Sequence, residues 1–497
     1  MTLSNCVLKA TGISKAFGGV QALDNVDLTV NAGEVVCLAG ENGCGKSTLI
    51  KIISGYYEAD AGTIELSGTK YEKLTPRESL RAGIQVIYQD FSIFPNLTVA
   101  ENIALSDQLS KGKHFVSKRK MRAIARQALE QIGVDLPLDV TLEHLSVADK
   151  QIVAITRSLL DNVRMIIMDE PTTALTQKEV QALFRVVRTL KEKGLAILFV
   201  SHKLEEIFDI CDHITILNNG KNVISGAIGE FDRNNLVHYM TGREYSEQRL
   251  ARSVPMENPR LQVKNLSMKG FFEDISFDLY PGEVLGITGL LGSGRTELAL
   301  ALYGMKPVTG GEVFLDGERI HLRSVGDAIS KGISYVPEDR ITEGMFLERA
   351  IKQNITVSNV GAYCQRKGVV SGRMIDEAAD QWVRQLGVKT DNPSNPISTL
   401  SGGNQQKVVL AKGLTTDPKV LILNGPTVGV DVGSKMDISR MIQQIAANGV
   451  SVLLISDDST EILTNCKRIL MMKNGSISGE YTNDDFADGS LYHTLVS

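Results

Sequence analysis

The stretch Gly40-Glu41-Asn42-Gly43-Cys44-Gly45-Lys46-Ser47 stands directly after an apolar run, VVCL at 35–38, and directly before TLIKII at 48–53. The spacing G-x-x-x-x-G-K-S between a strand-like and a helix-like segment is that of a loop that wraps phosphates. Gly40, Gly43 and Gly45 let the backbone turn its N–H groups inward, with Glu41, Asn42 and Cys44 between them. The helix that opens near Thr48 adds partial positive charge. Lys46 is placed to reach the β- and γ-phosphates of a nucleoside triphosphate, and Ser47 to ligate Mg²⁺. A glycine-rich turn with a surface lysine would carry the same letters, but it would not need the flanking strand and helix.

Further along, MIIMDE at 165–170 is an apolar strand ending in two acids. The C-terminal edge of a parallel strand is where such sheets hold ligands. There Asp169 is suited to hold the metal and Glu170 to polarise an attacking water. His202 follows a third apolar run, LAILFV at 195–200. A lone histidine is more often structural, but its position in step with the other motifs makes it a candidate γ-phosphate contact. Gln89 follows IQVIY at 84–88 and is unremarkable by itself.

The chain repeats itself. NAGEVVCLAGENGCG at 31–45 aligns with YPGEVLGITGLLGSG at 280–294, MIIMDEPT at 165–172 with VLILNGPT at 420–427, and FVSHKLEEI at 199–207 with LISDDSTEI at 454–462. Ser146 lies 23 residues before Asp169 and Ser401 lies 23 before Asn424; Asp169 to His202 and Asn424 to Asp457 are both 33. Two long copies indicate tandem domains, not a short-repeat array. We place a first domain at 1–245, a polar, proline-containing linker at 246–259 and a second domain at 260–497. Strands alternate with helical stretches in both, so each domain is expected to be α/β with a mainly parallel sheet.

The bulk properties exclude several classes. A net charge of −5 and the absence of a global basic excess argue against a nucleic-acid binder. The six cysteines form no CxxC pair, so neither a zinc site nor a disulfide framework is expected. Residues 1–5 lack the basic stretch and apolar core of a signal peptide, and no apolar run reaches the ~18 residues that cross a bilayer. A function at a membrane would need other chains to do the crossing.

LSGGNQQK at 400–407 is the most specific string in the chain. It resembles the signature motif of ATP-binding cassette (ABC) ATPases. Its Asn-Gln-Gln ending, together with YVPEDR at 335–340, is similar to the fused-cassette subunits of bacterial sugar importers of the ribose/galactose/arabinose type. The resemblance covers essentially the whole chain. It implies two tandem ABC-type P-loop NTPase domains, each with a parallel sheet core, a helical subdomain (91–160 in the first) and a small antiparallel β part. It also implies that each ATP lies between the phosphate loop of one cassette and the signature of the other. By position, Phe17 would stack on adenine, and Gln89 would sense the γ-phosphate through Mg²⁺ or water. Ser401, Gly402 and Gly403 would complete the phosphate cage from the sister cassette, with Asp431 reaching across.

The two sites so formed are unequal. Site one has Lys46, Ser47, Gln89, Asp169, Glu170 and His202 on one side and Ser401–Gly403 on the other. Site two has GLLGSGRT at 289–296, with Arg295 for lysine. Asn424, Gly425, Asp457 and Glu338 stand for the metal-binding acid, the base, the histidine and the glutamine. Its facing signature, LSVAD at 145–149, lacks both glycines, and Thr176 stands opposite Asp431. A degenerate second loop is usual in the group, whereas Asn424-Gly425 is a further departure. The loop backbone and Arg295 leave nucleotide binding open there. The resemblance implies ATP and Mg²⁺ as cofactors, a position on the cytoplasmic face of the bacterial inner membrane, two permease copies and an extracytoplasmic solute-binding protein. One chain, or two as a homodimer, would serve the permease pair. The alternative is a soluble fused-cassette factor acting on ribosomes; the short linker and the stripped second site count against it.

Overall fold

The computed structural model describes residues 5–88, 93–110, 117–160, 162–172, 175, 177–242, 250–290, 292–364, 368–486 and 491. The chain divides into two units, 1–245 and 246–497.

The first unit is built on a six-stranded sheet in the order Lys221–Ala227, His213–Asn218, Val35–Ala39, Ala196–Val200, Met165–Asp169, Ile84–Ile87. All neighbours are parallel except the outermost hairpin, Lys221–Ala227 on His213–Asn218. Strands covered on both faces cannot alternate polar with apolar, which explains their continuous hydrophobic runs. Val35 to Leu38, Met165 to Met168 and Ala196 to Val200 are all buried. Each Val, Leu, Ile, Met or Phe among them contributes ~1.5–3 kcal/mol of burial. A separate four-stranded antiparallel sheet runs Val20–Asn31, Cys6–Phe17, Ala61–Leu66, Thr69–Tyr71. Beyond the sheets, the helices Val99–Ser110, Lys118–Gln131 and Val147–Ser158 pack on one another.

The second unit repeats the plan. Its six-stranded sheet runs Ile333–Val336, Val420–Asn424, Ser451–Ile455, Val284–Gly289, Arg468–Lys473, Ser476–Thr482, with only the last pair antiparallel. Its antiparallel sheet runs Phe272–Leu279, Leu261–Met268, Gly310–Leu315, Glu318–Ile320. Two stretches read from sequence differ slightly: the first helix begins at Lys46, not Thr48, and the third core strand begins at Ala196, not Leu195. Within 246–259, the Leu250 and Ala251 amides donate to the Thr464 carbonyl, so this segment is tied to the second unit. Among the described residues, no helix is long and apolar enough to cross a membrane.

Candidate active site

Parallel register brings the first unit's motifs to one edge of its sheet. Val35 pairs with Ile197 and Asp169 with Val200, so the loop after Ala39, the acids at 169–170 and His202 all leave the sheet on the same side. Gly40, Gly43 and Gly45 take positive φ (144°, 84° and 106°), the backbone the motif requires. The helix Lys46–Ile53 starts from Gly45. Lys46 is only 6% exposed. Its ammonium bends back to donate to the carbonyls of Gly40 (2.7 Å) and Glu41 (2.9 Å), with the Cys44 Sγ at 3.8 Å. Its hydrogen-bond partners are therefore neutral atoms. Ser47, Asn42 and Gly43 are exposed at the mouth of the loop, with Thr48 half-buried behind them.

Asp169 ends its strand half-buried, and its carboxyl is held above the usual carboxylate range by burial and then by the Glu170 charge; Lys46 and Lys51 pull the other way. Glu170 sits in the left-handed region at φ 46°, while its N–H donates to the Val200 carbonyl (3.1 Å). A non-glycine residue held there costs ~1–2 kcal/mol, a strain of the kind found at functional sites. It turns the side chain toward His202, whose Nδ1 lies 3.1 Å from Glu170 Oε1. Phe17 is 41% exposed, meets Tyr57 edge-on at a centroid separation of 5.1 Å and has Lys15 Nζ 5.5 Å from its centre. Gln89 and Thr176 lie outside the described residues.

In the second unit, Ser401 caps the helix Gly402–Leu414 without a side-chain bond to that helix's amides; its hydroxyl accepts instead from the Asn404 amide at 2.9 Å. The first helical N–H groups thus have no side-chain acceptor from Ser401 and are suited to an anion. Gly403 is also a packing requirement, because a Cβ there would fall 1.9 Å from Ser434 Oγ. Asp431 caps the helix Val432–Ala447, accepting from the Ser434 amide (2.8 Å) and hydroxyl (3.1 Å). Arg295 donates to the Gly289 carbonyl and lies 3.2 Å from Asp457. The buried Asn424 amide meets the Tyr335 hydroxyl at 3.4 Å.

Two residues were not singled out as site residues from the sequence. Lys203 spans from the Thr172 carbonyl (3.2 Å) to Glu206 (3.0 Å), tying the loop after Glu170 to the helix after His202. Arg340 donates to the carbonyls of Val428 (2.7 Å) and Gly429 (3.0 Å). Its position in YVPEDR and the place of Lys203 beside His202 were the available signals.

The ABC transporter family pattern matches residues 23–173 and 272–428, and the chain belongs to that family: it is an ABC-type ATPase with two α/β cassettes. Over nearly their full lengths it is similar to proteins named ribose import ATP-binding protein RbsA. That of Bacillus licheniformis is 40% identical across 96% of this chain and 97% of its own. That of Clostridium perfringens (strain SM101 / Type A) is 42% identical across 99% and 98%. That of Bacillus subtilis (strain 168) is 40% identical across 94% and 95%.

Proposed function

We propose that the chain is the energy-coupling subunit of an importer for a monosaccharide or related small polyol, with one hydrolytic and one degenerate composite ATP site. The observation that carries the reading is the Glu170–His202 pair at 3.1 Å, beside Asp169 and Lys46 on one sheet edge. Likeness to ribose-import proteins along almost the whole chain supplies the transport context.

In this reading Glu170 orients and polarises the attacking water, and His202 holds the Glu170 carboxylate in place and contacts the γ-phosphate. Lys46 leaves its two neutral carbonyl partners for the β- and γ-phosphates, exchanging hydrogen bonds to dipoles for ones to full negative charge. Gln89 joins the γ-phosphate end, and Phe17 takes the adenine on its free face. The exposed Ser47 hydroxyl and the Asp169 carboxylate fit Mg²⁺, a hard cation that keeps waters and binds through few protein oxygens. It would neutralise phosphate charge there. Ser401, Gly402 and Gly403 close the cage from the sister cassette, with Asp431 beside them. The chain sits at the cytoplasmic face of the inner membrane, and permease subunits, two copies in the simplest case, with an extracytoplasmic solute-binding protein complete the transporter.

The test is reconstitution with the co-encoded permease in vesicles. Glu170→Gln is expected to lower sugar-stimulated ATP turnover at least ~100-fold. Turnover left near the parent level would remove Glu170 from its role. Co-sedimentation with ribosomes and no stimulation by permease would overturn the transport reading.

A further inference from the structure

We infer that the second phosphate loop is closed by the chain's own carboxylates and takes no nucleotide, so that the full-length chain binds one equivalent of magnesium nucleotide. The inference rests on the reading that the first phosphate loop is the nucleotide site.

The argument begins at the loop cation. Lys46 is satisfied by neutral carbonyls that a phosphate can replace. Arg295, 5% exposed, holds the Gly289 carbonyl with one nitrogen and faces Asp457 Oδ2 at 3.2 Å with another. Asp457 occupies the position that His202 has in the first half, so a neutral or cationic ring is replaced by an anion already seated on the loop's charge. An incoming phosphate would have to displace a charged partner, not a dipole.

A second acid stands beside the first. Glu338 replaces the glutamine of the first half and is exposed at the mouth of the loop; partial desolvation raises its pKa, then the Asp457 charge raises it, and Arg295 lowers it. A triphosphate would meet both carboxylates. The usual remedy is a metal ion held by an acid at the strand end, but Asn424 fills that place and its amide is turned to the Tyr335 hydroxyl. With Arg295 already paired and no acid placed to hold a metal, the charge of the phosphates is left opposed to that of the carboxylates.

The first unit's signature helix shows the same device. Ser146 accepts from the Asp149 amide (3.1 Å) and donates to the Asp149 carboxylate (2.9 Å), which puts an acid at the start of Val147–Ser158. At the matching position of the second unit stands neutral Asn404. The half-sites that the family pairing would assign to site two both carry a built-in anion, each within its own unit.

The experiment is equilibrium binding of adenylyl imidodiphosphate with magnesium to the full-length chain. One equivalent is expected. Two equivalents would overturn the inference, whereas none would overturn the first-loop reading beneath it. In Lys46→Ala, binding should vanish; one residual equivalent would show the second loop occupied. The double variant Asp457→Asn/Glu338→Gln, confirmed folded by its melting curve, should gain a second equivalent through an affinity rise of at least ~10-fold at that loop. A count that stays at one would take the exclusion away from these carboxylates.

Discussion

The ends of the strands Met165–Asp169 and Val420–Asn424 share a backbone and differ in chemistry. At the next residue each chain enters the left-handed region, φ 46° at Glu170 and 55° at Gly425, and each amide donates to the neighbouring strand, to Val200 O at 3.1 Å and Ile455 O at 2.7 Å. The first unit keeps a strained acid there, held beside His202. The second has the residue for which that conformation is unstrained. The turn is thus a property of the duplicated scaffold and the strain a property of the site. Where the acid is absent, the strain is absent too.

The networks behind these turns differ in the same sense. Glu206 is satisfied by the Ser201 hydroxyl (2.7 Å) and Lys203. Its counterpart Glu461 has Asp458 where Lys203 would be, and Lys435 pairs with Asp458 at 2.8 Å. Both Glu461 carboxyl oxygens are buried without a hydrogen-bond partner of good geometry, although the Ser456 and Thr427 hydroxyls are neighbours. Burial, and then the Asp458 charge, push its pKa up to about 7.

The comparison breaks most sharply at the strand-end acid. Asp169→Asn is expected to lower ATP turnover by about 100-fold or more, in line with losing a catalytic electrostatic contact, while Asn424→Asp/Gly425→Glu leaves it within about twofold. Turnover kept near the parent level in Asp169→Asn, or raised well beyond twofold in the double variant, in steady-state assays would mean that the halves share the chemistry. Next in size, Gly403→Ala drives a methyl group into Ser434 and should destabilise the second unit by ~1–3 kcal/mol. Ala148, at the equivalent place in the first unit, should accept glycine with little change; denaturant titration of both variants decides this.

Glu461→Gln should stabilise the second unit by about 2 kcal/mol above neutrality, because one pKa unit corresponds to ~1.4 kcal/mol and part of the shift is compensated. Folded Glu461 keeps its proton to about pH 7, while the unfolded chain releases it near 4.5, the ordinary value for a glutamate, so stability declines as pH rises between the two and is level beyond. Melting curves across that window should be flatter in the glutamine variant; an unchanged slope would move the titration elsewhere. Smallest, Gly425→Ala should cost ~1 kcal/mol, from the left-handed φ and a Cβ 2.9 Å from Glu338 Cγ and Val428 Cγ2. No loss in a thermal melt would show that this turn is not held as tightly as its twin.

Much of the site was legible in the sequence for a local reason. GENGCGKS, MIIMDE and the histidine after LAILFV each end or follow a strand, and parallel strands carry their C-terminal residues to one edge without further instruction. The roles of Lys203 and Arg340 were not legible, because the carbonyls they reach, of Thr172 and of Val428 and Gly429, lie 31 and 88–89 residues away and have no motif spacing. The loss of lysine, acid, base and histidine in the second half could be read as four separate substitutions. That Arg295 and Asp457 compensate one another could not, since they are 162 residues apart and meet only through the sheet.

By itself, the sequence determined the duplication, the α/β class and the identity of the chemical groups, because strand periodicity, loop glycines and motif spacing are short-range properties. Tertiary structure alone decided which groups are satisfied by which: Lys46 by carbonyls and Arg295 by a carboxylate, Glu206 by a lysine and Glu461 by no cation. Hydrogen bonding and burial depend on distances across strands, and a linear chain does not carry those distances until it folds.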